Sequence, residues 1–266
     1  MLCIISLWCL LSCGLEDFYY IDYIDDAYIS NPNYESAVIQ RLPSSSNEGY
    51  DKYFSNFIIF YRIYLSNTNL SAASPNISDF SSINSTMSTN YSNFFSSTDK
   101  TSTSFSSENL ENLFYSRDFY KLALADTNTG LPINIDNVLS NSSLGSPLEF
   151  IFSGTTGDIP MLRVANNYYF LLRAASKPDL NFTTMPKEHR YFFNEDALRD
   201  IKYLNKETPS EYNADVARLQ GQANDVTQYA YVIMYIAAQG ITGDIPPKPI
   251  YSQPSFIGVF WLPKLN

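Results

Sequence analysis

The chain has 266 residues, 45% of them hydrophobic and 15% aromatic, so it can bury a core large enough for one sizeable β-domain. Its 17 Lys and Arg against 27 Asp and Glu give a net charge of −10, a surface that repels phosphate backbones and argues against nucleic acid as a partner. The three cysteines are Cys3, Cys9 and Cys13, so the later chain has no disulfide pair and no thiolate cluster for zinc.

An apolar run opens the chain and ends in the sequence LLSC, whose last residue is Cys13, followed by Gly14. The run is too short to cross about 30 Å of hydrocarbon, which excludes a transmembrane helix. The pattern predicts a lipobox, in which residues 1–13 form a lipoprotein signal peptide and Cys13 is acylated. The run contains no Lys or Arg and has a large Leu11 before Ser12. An apolar N-terminus without this role, or a start codon upstream of Met1, therefore stay open as alternatives.

Residues 14–266 are predicted to form a single, mainly β domain. Runs rich in β-branched and aromatic residues, bounded by turn residues, predict strands at 18–24, 37–42, 54–65, 119–124, 148–152, 167–174, 229–238 and 256–262. In 54–65 apolar side chains occupy both alternating faces, so both faces are expected to be covered in part. We predict that 54–65 and 229–238 are neighbouring central strands of one β-sandwich. The proline-rich stretch 246–254 cannot join a central sheet.

The composition changes abruptly to Ser, Thr and Asn after residue 66, which predicts an insertion at about 70–117. Two parts of it favour helices. One is 108–116, and the other carries an apolar stripe at spacings of three and four, formed by Phe80, Ile83, Met87, Tyr91 and Phe94. The expected fold is a mainly β sandwich with a Ser/Asn-rich, partly helical insertion.

Three later stretches are less regular. Asn194 is a candidate N-cap for a helix through Leu198 and Leu204, whereas 215–220 is open between a short helix and a strand. The pentapeptide TGDIP occurs at 156–160 and again at 242–246. Because Gly-Asp before proline is ordinary turn chemistry, two similar turns are favoured over a duplicated domain.

Two segments resemble strands of a fibronectin type III-like sandwich. The alternating run from Tyr229 to Gly240 resembles that family's penultimate strand, and 57–66 resembles its third strand. The resemblance implies that Tyr229 is the corner tyrosine that bonds back to the preceding loop. The long segment between the two strands departs from the family.

Taken whole, the chain is similar to the uncharacterised lipoproteins of spirochaetes such as treponemes. The similarity rests on the loose lipobox, the richness in Tyr, Phe, Asn and Ser, and the ending YSQPSFIGVF at 251–260. That group brings no known activity to this chain.

No catalytic or metal-binding motif is found, so no catalytic residue, metal ligand or cofactor is predicted. His189 is the only histidine and lies in a charged stretch typical of a solvated loop, which excludes His-based zinc motifs. The sequence has no G-x-S-x-G elbow, no free cysteine nucleophile and no nucleotide-binding glycine pattern. The Asp158 and Asp244 loops lack the run of oxygen ligands that calcium needs.

Adjacent carboxylates occur at 25–26 and 195–196, but each pair has a simpler interpretation than glycosidase chemistry. The first is a turn and the second suits the first turn of a helix. We therefore expect a protein that is not an enzyme.

The functional expectation is a lipid-anchored bacterial envelope lipoprotein, placed at the outer membrane or cell surface. It is expected to be a non-catalytic binding or adhesion module that holds the membrane through Cys13 and binds a protein or glycan. The alternatives are a structural or assembly component of the envelope and a carbohydrate-binding lipoprotein. Long insertions in a rigid β-scaffold favour binding surfaces, so 71–107 is the predicted binding segment. The alternative is that Phe80, Met87 and Phe94 pack a helix onto the sandwich and the remainder is a linker.

Overall fold

A computed structural model describes residues 21–30, 36–66, 107–152, 159–173, 215–218, 229–243 and 245–262. Within these residues the chain is mainly β and forms two six-stranded sheets, A and B. The strands are β1 (Ser36–Ile39), β2 (Phe54–Ser66), β3 (Tyr120–Lys121), β4 (Ala123–Asp126), β5 (Pro132–Ile133), β6 (Leu148–Ile151), β7 (Met161–Val164), β8 (Asn167–Leu172), β9 (Val216–Arg218), β10 (Tyr229–Ile241), β11 (Pro249–Tyr251) and β12 (Ser255–Leu262). The helices are α1 (Ser107–Tyr115) and α2 (Ile135–Val138), with 3₁₀ turns at Asp26–Tyr28 and Asn141–Ser143.

Sheet A has the strand order β1-β6-β7-β8-β4-β5, and every neighbouring pair is antiparallel. Strands β7 and β8 form a hairpin with a two-residue turn at 165–166. Ala165 has a positive φ of 52°, as the favoured two-residue hairpin turns require. Residues 28–30 extend the sheet beyond β1, because the Ser30 N–H donates to the Val38 carbonyl at 2.9 Å.

Sheet B is built around its two 13-residue strands. Strand β10 pairs antiparallel with β2 from Tyr229↔Ser66 to Gly240↔Phe54. Strands β11 and β12 also pair with β10, and β3 and β9 pair with β2. Only the β2–β9 pair is parallel among these strands. The prediction that the runs 54–65 and 229–238 are neighbouring central strands is therefore confirmed.

The two sheets pack face to face around one hydrophobic core. It contains Phe57, Ile59, Tyr61 and Ile63 of β2, Val232, Met234, Ile236 and Ala238 of β10, and Leu148, Phe150, Leu162 and Leu171 of sheet A. Alternate residues of each long strand face this core because successive side chains of a strand point to opposite sides. The arrangement is consistent with a β-sandwich.

Helix α1 covers the other face of sheet B. Phe114 stacks on Phe60 with ring centroids 4.1 Å apart, and Leu110 is buried in the same cluster. At the edge of this contact, the Tyr251 hydroxyl donates to Glu111 at 3.0 Å and Lys121 forms an ion pair with the same carboxylate. Both faces of β2 and β10 are thus buried, and the predicted helix at 108–116 is confirmed as part of the scaffold.

Three sequence predictions need correction. Residues 21–24 of the predicted strand 18–24 are not in a strand, and the chain turns at 26–28, where Asp25 accepts the Ala27 N–H at 2.9 Å. The run 119–124 is two strands, because the chain passes from sheet B to sheet A at Leu122, whose N–H donates to the Ile59 carbonyl at 2.8 Å. Strands β5 and β7 were not predicted, being only two and four residues long.

Two other stretches are now assigned. Strand β9 lies in the ambiguous run 215–220. The prediction that the proline-rich stretch 246–254 cannot join a central sheet is wrong for residues 249–251. Strand β11 joins sheet B at its edge, where it pairs only with the end of β10 among the described strands.

Strand β12 contains a β-bulge. Met234 lies opposite Gly258 and Tyr235 opposite Phe256, so Ile257 is an extra residue without a partner in this register. The extra residue changes the alternation of the strand. Ile257 and Phe260, which have opposite parity, can therefore both join the core between the sheets.

Candidate functional site

The sandwich has two ends, defined by the direction of its long strands. At the Gly240 end, β2 begins and β10 finishes, because Gly240 lies opposite Phe54. At the Arg173 end, β2 finishes and β10 begins, because Tyr229 lies opposite Ser66. Arg173, which follows β8 of sheet A, reaches the same end through its partner Asp215. The Asp215 carbonyl in turn accepts the Ile63 N–H at 2.9 Å.

A buried ionic cluster joins the two sheets at the Arg173 end. The Arg173 Nε donates to Asp215 Oδ2 at 2.9 Å, and its Nη2 donates to Oδ1 of the same carboxylate. The Tyr61 hydroxyl donates to Asp215 Oδ2 at 2.7 Å. The side chains of Arg173 and Asp215 are 0% and 1% exposed, so water does not compete for these bonds. The cluster links β8, β2 and the residue preceding β9.

The electrostatics of this cluster keep the Arg173 guanidinium charged. Burial alone would lower the pKa of the Arg173 guanidinium, since a buried cation is poorly solvated. The negative charge and hydrogen bonds of Asp215 outweigh that effect, and the pKa of Arg173 is raised. A charged pair at this depth stabilises one arrangement of the strands only while both partners are present.

Three long segments meet the scaffold around this cluster. The segment 67–106 follows Ser66, the segment 174–214 runs from Arg173 to Asp215, and the segment 219–228 runs from Arg218 to Tyr229. In sheet B, Ser66 lies opposite Tyr229, and the neighbouring Leu65 lies opposite Arg218. The ion pair between Arg173 and Asp215 therefore closes the base of the second segment, beside the starting points of the other two.

The Gly240 end carries a shallow polar concavity of about 360 Å³. It is lined by Ser45, Ser46, Asn47, Glu48, Gly49, Asp51, Lys52 and Tyr53. Two contacts fix its wall to the start of the described chain. The Asp22 N–H donates to the Glu48 carbonyl at 3.1 Å, and the Tyr50 hydroxyl donates to the Asp22 carbonyl at 2.9 Å.

The loop 242–248 projects from the same end and is closed at its base. The Thr242 N–H donates to the Lys248 carbonyl at 2.7 Å, and the Lys248 N–H donates to Thr242 Oγ1 at 2.9 Å. Gly240 precedes the loop and has no room for a Cβ atom, which would collide with the Ile21 side chain and the Tyr53 carbonyl. The first described residues of the chain are thus packed against the base of this loop.

In the turn between β4 and β5, the Asp126 carboxylate accepts hydrogen bonds from residues of the same turn. Asp126 Oδ1 accepts the backbone N–H of Thr129 at 2.8 Å, its hydroxyl at 3.0 Å, and the N–H of Asn128 at 3.0 Å. These bonds, the one from the Thr129 N–H first, lower the pKa of Asp126. The geometry is that of a structural turn.

Several residues considered from the sequence lie outside the described part of the chain. These are Cys13, His189, Asp158, Asp244, Asn194 and the Phe80–Phe94 stripe. Tyr229 is the first residue of β10, the strand that resembles the penultimate fibronectin type III strand. Its side chain also lies outside the described part of the structure. Within the described ranges no cluster of three or more His, Cys, Asp or Glu is placed to hold a metal ion. No helix among the described residues is long and apolar enough to span a membrane.

The tyrosines that the structure describes in strands are mostly core residues. Tyr61, Tyr120, Tyr231 and Tyr235 are all buried, whereas Tyr168 is 43% exposed on the outer side of sheet A. The ionic cluster was not predicted from sequence. Arg173 lies near the end of the predicted strand 167–174 and Asp215 opens an ambiguous run, so no local pattern connects two residues 42 positions apart.

Comparison with known proteins identifies no relative. The chain matches no protein-family model, no curated protein sequence and no solved structure.

Proposed function

We propose that this chain is a lipid-anchored lipoprotein of a bacterial envelope whose β-domain is a non-catalytic binding module. The observation that carries the proposal is that three long segments start at one end of a scaffold with a deeply buried core. Their starts, and the returns of the second and third segments, are fixed there by strand pairing and by the Arg173–Asp215 ion pair, whereas the first segment leads to Ser107 of α1. Binding surfaces in many proteins are built in this way, on loops held by a rigid sandwich.

The proposed binding surface lies on the segment between β2 and α1, which includes the predicted 71–107. Both flanking elements are firmly packed, since β2 is central in sheet B and α1 is held by Phe114 and Glu111. Between them the sequence interleaves aromatic residues with Ser and Asn, a composition that suits adaptable recognition.

The finer fold proposed is fibronectin type III-like. In immunoglobulin-like sandwiches the third, penultimate and last strands share one sheet. The pairing of β2, β10 and β12 in sheet B agrees with that arrangement. The six strands of sheet A and the long segment between β2 and α1 are departures from it. The similarity to spirochaetal lipoproteins remains a proposal resting on the sequence features given above.

The anchor is tested by metabolic labelling with palmitate. We expect the label to enter the wild-type chain and to be lost in Cys13→Ser, which accumulates uncleaved. Cys9→Ser is the matched control, because it removes a thiol from the same short run and leaves the proposed lipobox intact. Equal labelling of the Cys13→Ser and wild-type proteins would refute the anchor.

The binding surface is tested by a pull-down from envelope and host extracts with three variants. One lacks 96–105, which ends before α1, the second carries Phe94→Ser and Phe95→Ser, and the control carries Tyr168→Ser on sheet A. We expect the first two to keep the wild-type melting temperature and lose the partner, and the control to keep both. If the Phe94/Phe95 variant unfolds, those aromatics belong to the core and this part of the proposal is wrong.

The proposed binding module and the structural alternative make different predictions for whole cells. A host-facing module is removed by external protease, whereas a periplasmic structural component is retained. Binding to a glycan array would instead favour a carbohydrate-binding lipoprotein.

A further inference from the structure

The loop 242–248 holds an apolar tip in solvent. Ile245 is 99% exposed, Ile241 is 50% exposed, and Pro246 and Pro247 are also exposed. Two hydrogen bonds between Thr242 and Lys248 close the base of the loop, so the apolar residues are held out from the sandwich rather than folded back onto it. Covering such a tip with another apolar phase is favourable, because it removes apolar surface from water.

The path of the N-terminal chain indicates what lies near the tip. Ile21 packs against Gly240, immediately before β10 leads into the loop. Only seven residues lie between Cys13 and Ile21, and the eight steps from one to the other span at most about 28 Å when extended. From Ile21 the chain runs away from the Gly240 end, since the Ile24 carbonyl accepts from the Ser255 hydroxyl, and Ser255 lies opposite Ile236, four residues before Gly240 in β10. A membrane anchor at Cys13 would therefore hold the Gly240 end close to the bilayer.

The charges at this end favour contact with a neutral interface. Lys52 and Lys248 are accompanied by Asp22, Glu48 and Asp51, so the surroundings of the tip are not basic. Attraction to anionic headgroups is accordingly weak, and the apolar residues supply the contact. Two prolines within the tip limit its freedom and reduce the entropy lost on binding.

We propose that the loop 242–248 is a second membrane contact, with Ile245 inserted into the interfacial region of the bilayer. The Gly240 end then faces the membrane, and the Arg173 end, where the three long segments start, faces away. The inference rests on the proposed anchor at Cys13. It goes beyond that anchor by assigning an orientation and a lipid-contacting residue.

The absence of cysteine after Cys13 gives a clean labelling experiment. The lipidated full chain carrying Ile245→Cys is labelled with an environment-sensitive fluorophore and reconstituted in phosphatidylcholine vesicles. Arg117→Cys is the matched control. Arg117 is exposed in the turn after α1, and its carbonyl accepts a hydrogen bond from the Arg62 side chain. Arg62 is eight residues along β2 from Phe54, which places it about 26 Å from the Gly240 end. Mass spectrometry first confirms that Cys13 is acylated and unlabelled.

We expect the emission at position 245 to shift to shorter wavelength and to be quenched by lipids spin-labelled near the headgroup, independently of salt. The label at position 117 is expected to stay water-like and unquenched. A water-like label at both positions in the acylated protein would overturn the inference while leaving the anchor intact. If the shift at position 245 occurs only at high protein density and without lipid quenching, the tip contacts a second copy of the chain. That result also overturns the inference. Free, labelled Cys13 would instead mean that the anchor itself is wrong.

Discussion

The buried ionic cluster gives the sharpest test of how the Arg173 end is held together. Arg173→Met removes the cation and its two hydrogen bonds to Asp215. Of the bonds described above, Asp215 then keeps the one from the Tyr61 hydroxyl. Leaving one partner of a buried ion pair uncompensated costs about 3–5 kcal/mol in the free energy of unfolding. Globular domains have about 5–15 kcal/mol in total, so this single change removes a large part of the stability.

The matched comparison uses a second Arg–carboxylate pair in the same fold. Arg163 and Glu149 are 2.7 Å apart on sheet A, with side chains 39% and 23% exposed. Solvent screens such a pair, and Arg163→Met is expected to cost about 0–1 kcal/mol. Urea unfolding measures both variants, and unchanged m-values would show that the unfolded states are comparable.

A triple variant separates charge burial from simple loss of packing. Arg173→Met, Asp215→Leu and Tyr61→Phe together leave neither an unpaired charge nor an unpaired hydroxyl in the cluster, so the stability should return to within about 2 kcal/mol of wild type. The reasoning is refuted if Arg173→Met costs no more than Arg163→Met, or if the triple variant is as unstable as the single one.

Three further predictions concern the scaffold. Ile59→Ala and Ile233→Ala are each expected to cost about 2–5 kcal/mol in urea unfolding, because both side chains are 1% exposed in the two central strands; a cost below 1 kcal/mol would contradict their central position. Gly240→Ala should cost about 1–3 kcal/mol in the same assay, since the added methyl meets backbone as well as a side chain; an unchanged midpoint would contradict the close approach. Asp126 has a lowered pKa, so its contribution to stability is present above the unfolded-state value and is lost as the pH falls through the lower folded-state pKa. Thr129→Val should raise the pKa of Asp126 in an NMR titration, because it removes the hydroxyl bond, and no change would show that this bond is not formed.

The centre of the fold could be predicted from sequence because its signal is local. In 54–65 and 229–238 apolar side chains occupy both faces, so both faces must be covered by other elements. The structure covers β2 and β10 with sheet A on one face and α1 on the other. The helix at 108–116 was predictable for the same reason, since Leu110 and Phe114 recur at helical spacing on the buried side.

What could not be predicted depends on partners that are distant along the chain. Strand β5 has two residues and exists only through its pairing with β4. The break at Leu122 arises because one strand run serves both sheets, which no alternation pattern reveals. The Arg173–Asp215 pair at the proposed functional end likewise requires the three-dimensional position of residues on two different sheets.

The bulge at Ile257 has a consequence for self-association. Among the described strands, β12 pairs along one side only, with β10, and a regular eight-residue strand in that position would offer a straight row of backbone groups to another molecule. An extra residue in mid-strand bends such an edge and increases its local twist, so that a second copy cannot continue the hydrogen-bond ladder in register. Deleting Ile257 would straighten this edge and remove one buried side chain from the core, while both halves of β12 keep their partners in β10. The bulge that places Ile257 in the core therefore also opposes edge-to-edge pairing of β12 between molecules.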